Sequence, residues 1–166
     1  GIYRAMLKGK LLGAHLKVVV AHLKSSENET RLAAANVLSR QRELDMTDFE
    51  QEIYQRFLEE KSTEVKATLG YALARTEYAE PFALEVLRFE DRPLLRSIGL
   101  MALHKPQEHL NLLEDALISE SPWVAMTAAE KFAEVDSFDL SASVLSAART
   151  SAIPEVSAVV ALSLLK

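Results

Sequence analysis

The chain has 166 residues, a net charge of −5, no cysteine and a hydrophobic content of 49%. This length suits one folded domain, and this apolar content describes a globular chain rather than a disordered one. The lack of cysteine excludes disulfides, thiolate zinc sites and cysteine nucleophiles. Because alanine and leucine are abundant and only five glycines occur, we expect a mainly helical protein.

The charge is divided unevenly along the sequence. Residues 1–26 contain five basic residues and no acid, so the remaining residues carry a net charge of −10. An acidic body repels phosphate backbones, so we expect no nucleic-acid partner. No run of about 18 apolar residues suggests a membrane span. We expect membrane contact only through the basic N-terminal segment or through a domain outside this sequence.

The N-terminal segment has two interpretations. Residues 2–8 are predicted to end one helix, followed by a turn at Gly9-Lys10 and a second helix over 11–24, which makes residues 1–26 a partial repeat. Alternatively, one long helix is interrupted by Gly9 and Gly13.

One helical pattern then recurs five times. Its anchor positions, at intervals of 29 to 35 residues, are Asn28, Thr63, Pro93, Pro122 and Pro154. Most residues two, six and ten places after each anchor are apolar, and these offsets share one face of an α-helix. Proline suits the first turn of a helix, where its missing N–H has no intrahelical acceptor to satisfy. We therefore predict helices that begin at the anchors, in repeats that start near residues 27, 62, 92, 121 and 153.

A second set of amphipathic segments lies between the anchored helices, at 47–60, 80–89, 106–118 and 139–149. In the first of them, Thr47 and Glu50 fit a capping box. Ser121, just before Pro122, is predicted to cap the next anchored helix. The repeating unit is therefore a helical hairpin of about 30 residues.

Three anchored segments share a detailed pattern: NETRLAAANVL (28–38), TEVKATLGYAL (63–73) and PLLRSIGLMAL (93–103). A helix that opens Pro-x-Val-Arg-x-x-Ala and continues to Ala-Leu resembles the HEAT repeat, particularly the short HEAT-like form of bilin lyases and many bacterial proteins. The resemblance covers residues 27–166. It implies an all-α, armadillo-like fold in which about five hairpins form a right-handed α-α superhelix, or solenoid, as one domain over residues 1–166.

The resemblance also assigns a role to the basic residue of the pattern. In such families it forms a ladder with acidic residues of neighbouring turns, and here it is Arg31, Lys66 and Arg96. We expect these residues to be structural rather than to contact a ligand. The last two copies have Ala125 and Ser157 at this position, so the ladder should stop there.

The sequence contains no recognisable catalytic constellation. His15 and His22 lie seven residues apart without a nearby carboxylate, so we predict no metal site. No phosphate-binding glycine loop, nucleophile elbow or paired-carboxylate motif occurs. The adjacent acids Glu59-Glu60 and Glu114-Asp115 are interpreted as solvated helix surfaces. We expect no enzyme activity, no catalytic residue and no cofactor.

Two sets of residues are candidates for protein binding. The resemblance implies that second helices line the concave side of the stack, where their polar residues are Gln51, Gln55, Glu59, Arg88, Glu108, His109 and Asn111. The other set follows the anchor directly, where three copies have glutamate but the third and fourth have Leu94 and Trp123. Tryptophan is enriched at binding hot spots. Either Trp123 covers Leu94 within the chain, or the two residues contact a partner.

These patterns favour a cytoplasmic, non-catalytic scaffold that binds another protein or another domain of its own protein. One alternative is a lyase-like or chaperone subunit of the bilin-lyase type, which holds a prosthetic group. Another is a cytosolic regulatory domain of a larger membrane-associated protein. Because the helix predicted at Pro154 has no partner helix after it, we also expect the chain to be part of a larger protein.

Overall fold

A computed structural model describes residues 13–40, 45–135 and 142–163. These residues form ten α-helices and contain no β-strand. The helices are α1 (Gly13–His22), α2 (Asn28–Arg40), α3 (Glu50–Glu59), α4 (Thr63–Leu73), α5 (Ala79–Phe89), α6 (Pro93–Ala102), α7 (Leu110–Leu117), α8 (Pro122–Phe132), α9 (Ala142–Thr150) and α10 (Pro154–Ser163). Short 3-10 turns at Thr47–Phe49 and Pro106–His109 lead into α3 and α7. The chain divides into two compact units, residues 1–82 and 83–166, with the boundary inside α5.

The all-α prediction is confirmed, and the five anchored helices begin at the predicted residues. They are α2, α4, α6, α8 and α10. The residues two and six places after each anchor are buried, apart from the half-buried Thr30. The predicted second helices correspond to α3, α5, α7 and α9. The predictions for residues 2–12, for 139–141 and for Leu164 lie outside the described residues.

Two capping predictions need correction. Thr47 does not pair with Glu50, because its backbone N–H and its Oγ1 both donate to Asp45 Oδ1, at 3.1 and 2.7 Å. Glu50 is buried, and its Oε2 accepts the backbone N–H of Glu77 at 3.1 Å. Ser121 occupies the N-cap position of α8, but its side chain makes no capping hydrogen bond.

Unit 1, residues 1–82, is organised around α4. This helix packs against α2 and α3, and α1 packs against α2. The rings of Phe57 and Phe82 meet edge to face with their centroids 4.9 Å apart. Nζ of Lys66 lies 4.9 Å from the centroid of Phe57, so this basic residue of the repeat pattern makes a cation–π contact in the same cluster.

Arg31 connects two turns of unit 1. Its Nε and Nη2 donate to the Glu60 carboxylate at 2.8 and 3.1 Å. Its Nη1 donates to the carbonyls of Ser25 and Ser26 at 3.0 and 3.1 Å, and Nη2 also donates to Asn28 Oδ1 at 3.2 Å. A guanidinium has five N–H donors, and all five are matched here. Arg31 is therefore structural, as expected.

Glu60 completes the same network. Its Oε1 also accepts the backbone N–H groups of Lys61 and Ser62, at 2.9 and 2.8 Å. Its side chain is only 6% exposed, so the interpretation of Glu60 as a solvated acid is wrong, whereas the neighbouring Glu59 is 62% exposed. Burial by itself disfavours the charged carboxylate, but the hydrogen bonds from Arg31, Ser62 and Lys61 hold the pKa of Glu60 below its ordinary value.

Unit 2, residues 83–166, contains two rows of helices. The anchored helices form one row, because α8 packs against both α6 and α10. The second helices α7 and α9 pack against each other, and each of them contacts an anchored helix. Equivalent helices of successive hairpins are therefore neighbours within this unit. Its fully buried side chains include Leu95, Ile98, Leu103 and Phe132.

Arg96 does not form the expected ion pair within the described part of the chain. Its Nη1 donates to the backbone carbonyl of Glu90 at 3.5 Å, and its buried Nε has no hydrogen-bond partner. Arg31 finds its carboxylate at Glu60, three residues before the next anchor. The corresponding position in the repeat of Arg96 is Ser119, which offers no carboxylate.

The close contact between α5 and α6 in unit 2 depends on Gly99. A Cβ at this position would lie 3.0 Å from Cγ1 of Val86. Val86 is fully buried, and its branched side chain has little rotational freedom in a helix. The glycine therefore allows the two helices to approach.

We predict that Glu60→Gln lowers the free energy of unfolding by about 2 kcal/mol at neutral pH, because it removes a charged acceptor from a buried network. Urea unfolding of the variant measures this loss. Glu59→Gln is the matched control, and its effect should stay below about 0.5 kcal/mol, as for other exposed pairs.

The pKa of Glu60 is lowered in the folded state, so its stabilisation is present at neutral pH and is lost as the pH falls through that pKa. The difference between wild type and Glu60→Gln should therefore shrink in acid. A difference that is constant with pH would contradict the ion pair.

We predict that Gly99→Ala destabilises the protein by about 1 kcal/mol. Crowding of the new methyl group against Val86 should destabilise the folded state by more than the higher helix propensity of alanine stabilises it. In a Val86→Ala background the same change should destabilise less, because the nearest atom, Cγ1, is absent while Cβ of residue 86, at 3.2 Å, remains. Chemical unfolding of the two single variants and the double variant gives the coupling energy. Equal effects of Gly99→Ala in both backgrounds would show that the contact with the Val86 side chain does not cause the loss of stability.

Candidate protein-binding surface

The anchored helices of unit 2 expose the residues one and eight places after each anchor. These offsets lie about 20° apart around an α-helix, away from the buried offsets. On α6 they are Leu94 and Met101, 43% and 55% exposed. On α8 they are Trp123, 74% exposed, and the exposed Glu130. Because α6 and α8 pack side by side and bury equivalent offsets, these residues face the same side of the row.

A cleft of about 390 Å³ lies beside the tryptophan and is lined by Pro122, Trp123, Met126, Thr127 and Glu130. Met126 is half-buried. Together, Leu94, Met101, Trp123, Met126 and Glu130 are called the Trp123 surface below. It combines four apolar side chains with one acid.

The position of Trp123 follows from the start of α8. Pro122 occupies the first turn, so Trp123 points outward one residue later. Oγ1 of Thr127 donates to the Trp123 carbonyl at 2.7 Å, which fixes the backbone there. An indole folded over the neighbouring turn would lose most of its exposed area. The interpretation in which Trp123 covers Leu94 is therefore wrong, since both side chains remain exposed.

Unit 1 has a different chemistry at the same offsets. Its anchored helix α2 has Glu29 and Asn36 there, and α4 has Glu64 and Tyr71. Of these four residues only Tyr71 is a large exposed hydrophobic side chain. The apolar character of the Trp123 surface thus belongs to unit 2.

The polar candidates of unit 1 lie together on α3. Gln51, Gln55 and Glu59 are exposed and spaced four residues apart, so they share one face. The two glutamines help to line a cleft of about 450 Å³ with Lys24, Asp48, Glu52 and Arg56. Oppositely charged side chains are paired at the edges of this face, with Lys24 Nζ 2.6 Å from Glu52 Oε1 and Arg56 Nη1 2.7 Å from Glu59 Oε2.

The polar candidates of unit 2 are spread over two elements. Arg88 is exposed near the end of α5. Glu108 and Asn111 are exposed and His109 is half-buried around the start of α7, where Lys105 Nζ lies 3.3 Å from Glu108 Oε1. The structure therefore groups three of these residues in one turn and leaves Arg88 on a different helix.

Met101 and Met126 were missed by the sequence comparison, which considered only the residue directly after the anchor. They lie eight and four places after their anchors, on the same side of the helix as that residue. The helical period that exposes the residue after the anchor therefore also predicts both methionines on this face.

Over 13–40, 45–135 and 142–163, no group of three or more His, Asp or Glu side chains is placed to hold a metal ion. None of the helices in this part of the chain combines the length and the apolar character needed to cross a membrane.

Comparison with known proteins gives no family assignment. No protein-family model matches the chain, and no significant match was found among curated proteins or solved structures. Any functional assignment must therefore be argued from the residues themselves.

We predict that Trp123→Ala changes the free energy of unfolding by less than about 0.5 kcal/mol, because the side chain is mostly exposed. Phe132→Ala, on the same helix but fully buried, should cost about 3 to 5 kcal/mol. Thermal unfolding followed by circular dichroism compares the two variants without relying on tryptophan emission. A large loss of stability in Trp123→Ala would mean that the indole supports the fold.

Proposed function

We propose that the chain is a non-catalytic HEAT-like scaffold, acting in the cytoplasm, that binds another protein or another domain of its own protein through the Trp123 surface. In this proposal the hairpins continue from one to the next as a right-handed superhelix. Two observations support the architecture: helices begin at all five anchors, and equivalent helices are neighbours within unit 2.

The exposure of Trp123 carries the functional part of the proposal. A tryptophan side chain buries about 150 to 250 Å² when it is covered, and each Å² contributes about 25 cal/mol. Most of this area is accessible in the chain alone. Leu94 and Met101 add exposed apolar area on the neighbouring α6, and the polar residues Thr127 and Glu130 line the cleft beside Trp123. An apolar centre with a polar rim is the usual anatomy of a protein–protein interface.

The role of prosthetic-group holder has less support. The apolar cleft between α9 and α10, lined by Leu145, Ala148 and Val160 among others, measures about 130 Å³. Sites for ligands of drug size usually measure about 300 to 1,000 Å³. The cleft at Trp123 is larger but lies on the surface of a single helix, and the cleft of about 450 Å³ on α3 is lined by charged and amide side chains. Both suit a protein contact better than the enclosure of a cofactor.

We predict that Trp123→Ala reduces capture of the physiological partner at least tenfold, because hot-spot tryptophans contribute about 2 kcal/mol or more. The intact gene product, immobilised, is compared with the variant by quantitative mass spectrometry of bound proteins. Phe89→Ala is the matched control, because Phe89 is a similarly exposed aromatic residue, 72% accessible, on α5. A partner captured equally by Trp123→Ala and wild type would contradict the proposed surface.

A further inference from the structure

The outward positions of the anchored helices in unit 2 carry acids but no bases. On α6, α8 and α10, the residues one and eight places after the anchors include the two acids Glu130 and Glu155 and no lysine or arginine. Glu130 lines the cleft beside Trp123. The basic residue of α8, Lys131, points away from this face, is only 14% exposed and pairs with Glu134 at 2.9 Å. A ligand at the Trp123 surface therefore meets negative charge.

The apolar part of the surface has the dimensions of one face of a helix. Leu94 and Met101 are seven residues apart on α6, a rise of about 10 Å. Trp123 and Met126 lie on the neighbouring α8, and packed helices have axes about 8 to 10 Å apart. An amphipathic helix with apolar residues at i, i+3 or i+4, and i+7 spans such an area. The methionines can adapt their shape to these residues.

We propose that the Trp123 surface binds a basic amphipathic helix of a partner protein. The apolar face of that helix covers Trp123 and Leu94, and lysine or arginine residues at its edge pair with Glu130. This inference rests on the proposed function and specifies the chemistry of the partner.

Charge also argues against two other occupants. An anionic membrane surface attracts basic residues, whereas the exposed face of these helices offers acids. A second copy docked through the same face by a two-fold axis would bring acids from both copies to the interface without a base to pair with them. A basic helix of a partner protein is repelled neither as an anionic membrane is nor as a second acidic copy is.

Trp123 is the only tryptophan in the chain, so its fluorescence reports directly on this surface. The intact chain is titrated with a synthetic peptide of about four helical turns that has leucine at the i, i+3, i+4 and i+7 positions and lysine elsewhere. A matched peptide has glutamate in place of lysine. We expect the lysine peptide to shift the emission to shorter wavelength and to bind at least tenfold more tightly than the glutamate peptide, with an affinity that falls as salt is added.

Variants separate local pairing from the general attraction of an acidic protein. Glu130→Lys should weaken the lysine peptide about tenfold and strengthen the glutamate peptide. Glu64→Lys makes the same charge change at an exposed position of unit 1 and should leave the lysine-peptide affinity within about twofold of wild type. Equal weakening by both variants would overturn the inference. Trp123→Ala, followed by anisotropy of a labelled lysine peptide, should lose at least tenfold in affinity.

Other outcomes of the titration also decide which ligand the Trp123 surface binds. Equal binding of both peptides, with affinity still lost in Trp123→Ala, would overturn the basic partner and leave the proposed function standing. A stronger emission shift with lipid vesicles than with the lysine peptide would identify a membrane surface instead. A shift that depends on protein concentration alone would identify a second copy. The absence of any shift with the lysine peptide would reject a basic helix, while partner capture through Trp123 would remain a separate test of the scaffold.

Discussion

The anchored helices bury the residues two and six places after their anchors, apart from the half-buried Thr30, because neighbouring helices cover this side of each helix. The 3.6-residue period then determines which residues remain outside, namely those one and eight places after the anchor. Where these outer positions hold glutamate or asparagine, as in α2, the helix has an ordinary solvated face. Where they hold Leu94, Met101 and Trp123, the same geometry creates an apolar surface. The candidate site is thus a consequence of the packing that builds the fold.

The basic position of the repeat pattern shows how the same residue type can have different partners. Arg31 finds a carboxylate because Glu60 stands three residues before the next anchor. In the repeat of Arg96 the position three residues before the next anchor is Ser119, which has no carboxylate. Arg96 donates to the backbone carbonyl of Glu90 instead. The Arg31 guanidinium is only partly exposed, and with every donor matched it has none left for a ligand. Arg31 is therefore not a candidate for ligand binding. The outward positions of the anchored helices are the better location for a binding site.

The helix starts could be predicted because their causes are local: proline or a polar residue at the first turn, followed by a periodic apolar face. The resemblance predicted an acidic partner for Arg31 in a neighbouring turn, but it did not identify Glu60, 29 residues away in sequence, as that partner. The capping box failed for a related reason, because the backbone of Glu77 takes the carboxylate of Glu50. The sequence allowed Trp123 to be either covered or exposed. The exposed fraction of Trp123 in the folded chain, 74%, distinguishes these states.

An exposed tryptophan beside leucine and methionine carries a general risk, because apolar patches favour unspecific association. Acidic neighbours reduce this risk by repelling other acidic surfaces, including a second copy of the same chain. The same charge gives selectivity: a neutral patch of equal area would accept an amphipathic helix of either sign, whereas Glu130 adds a repulsive contribution against acidic helices. The apolar residues would then supply most of the affinity, and the acids would determine which helices can use it.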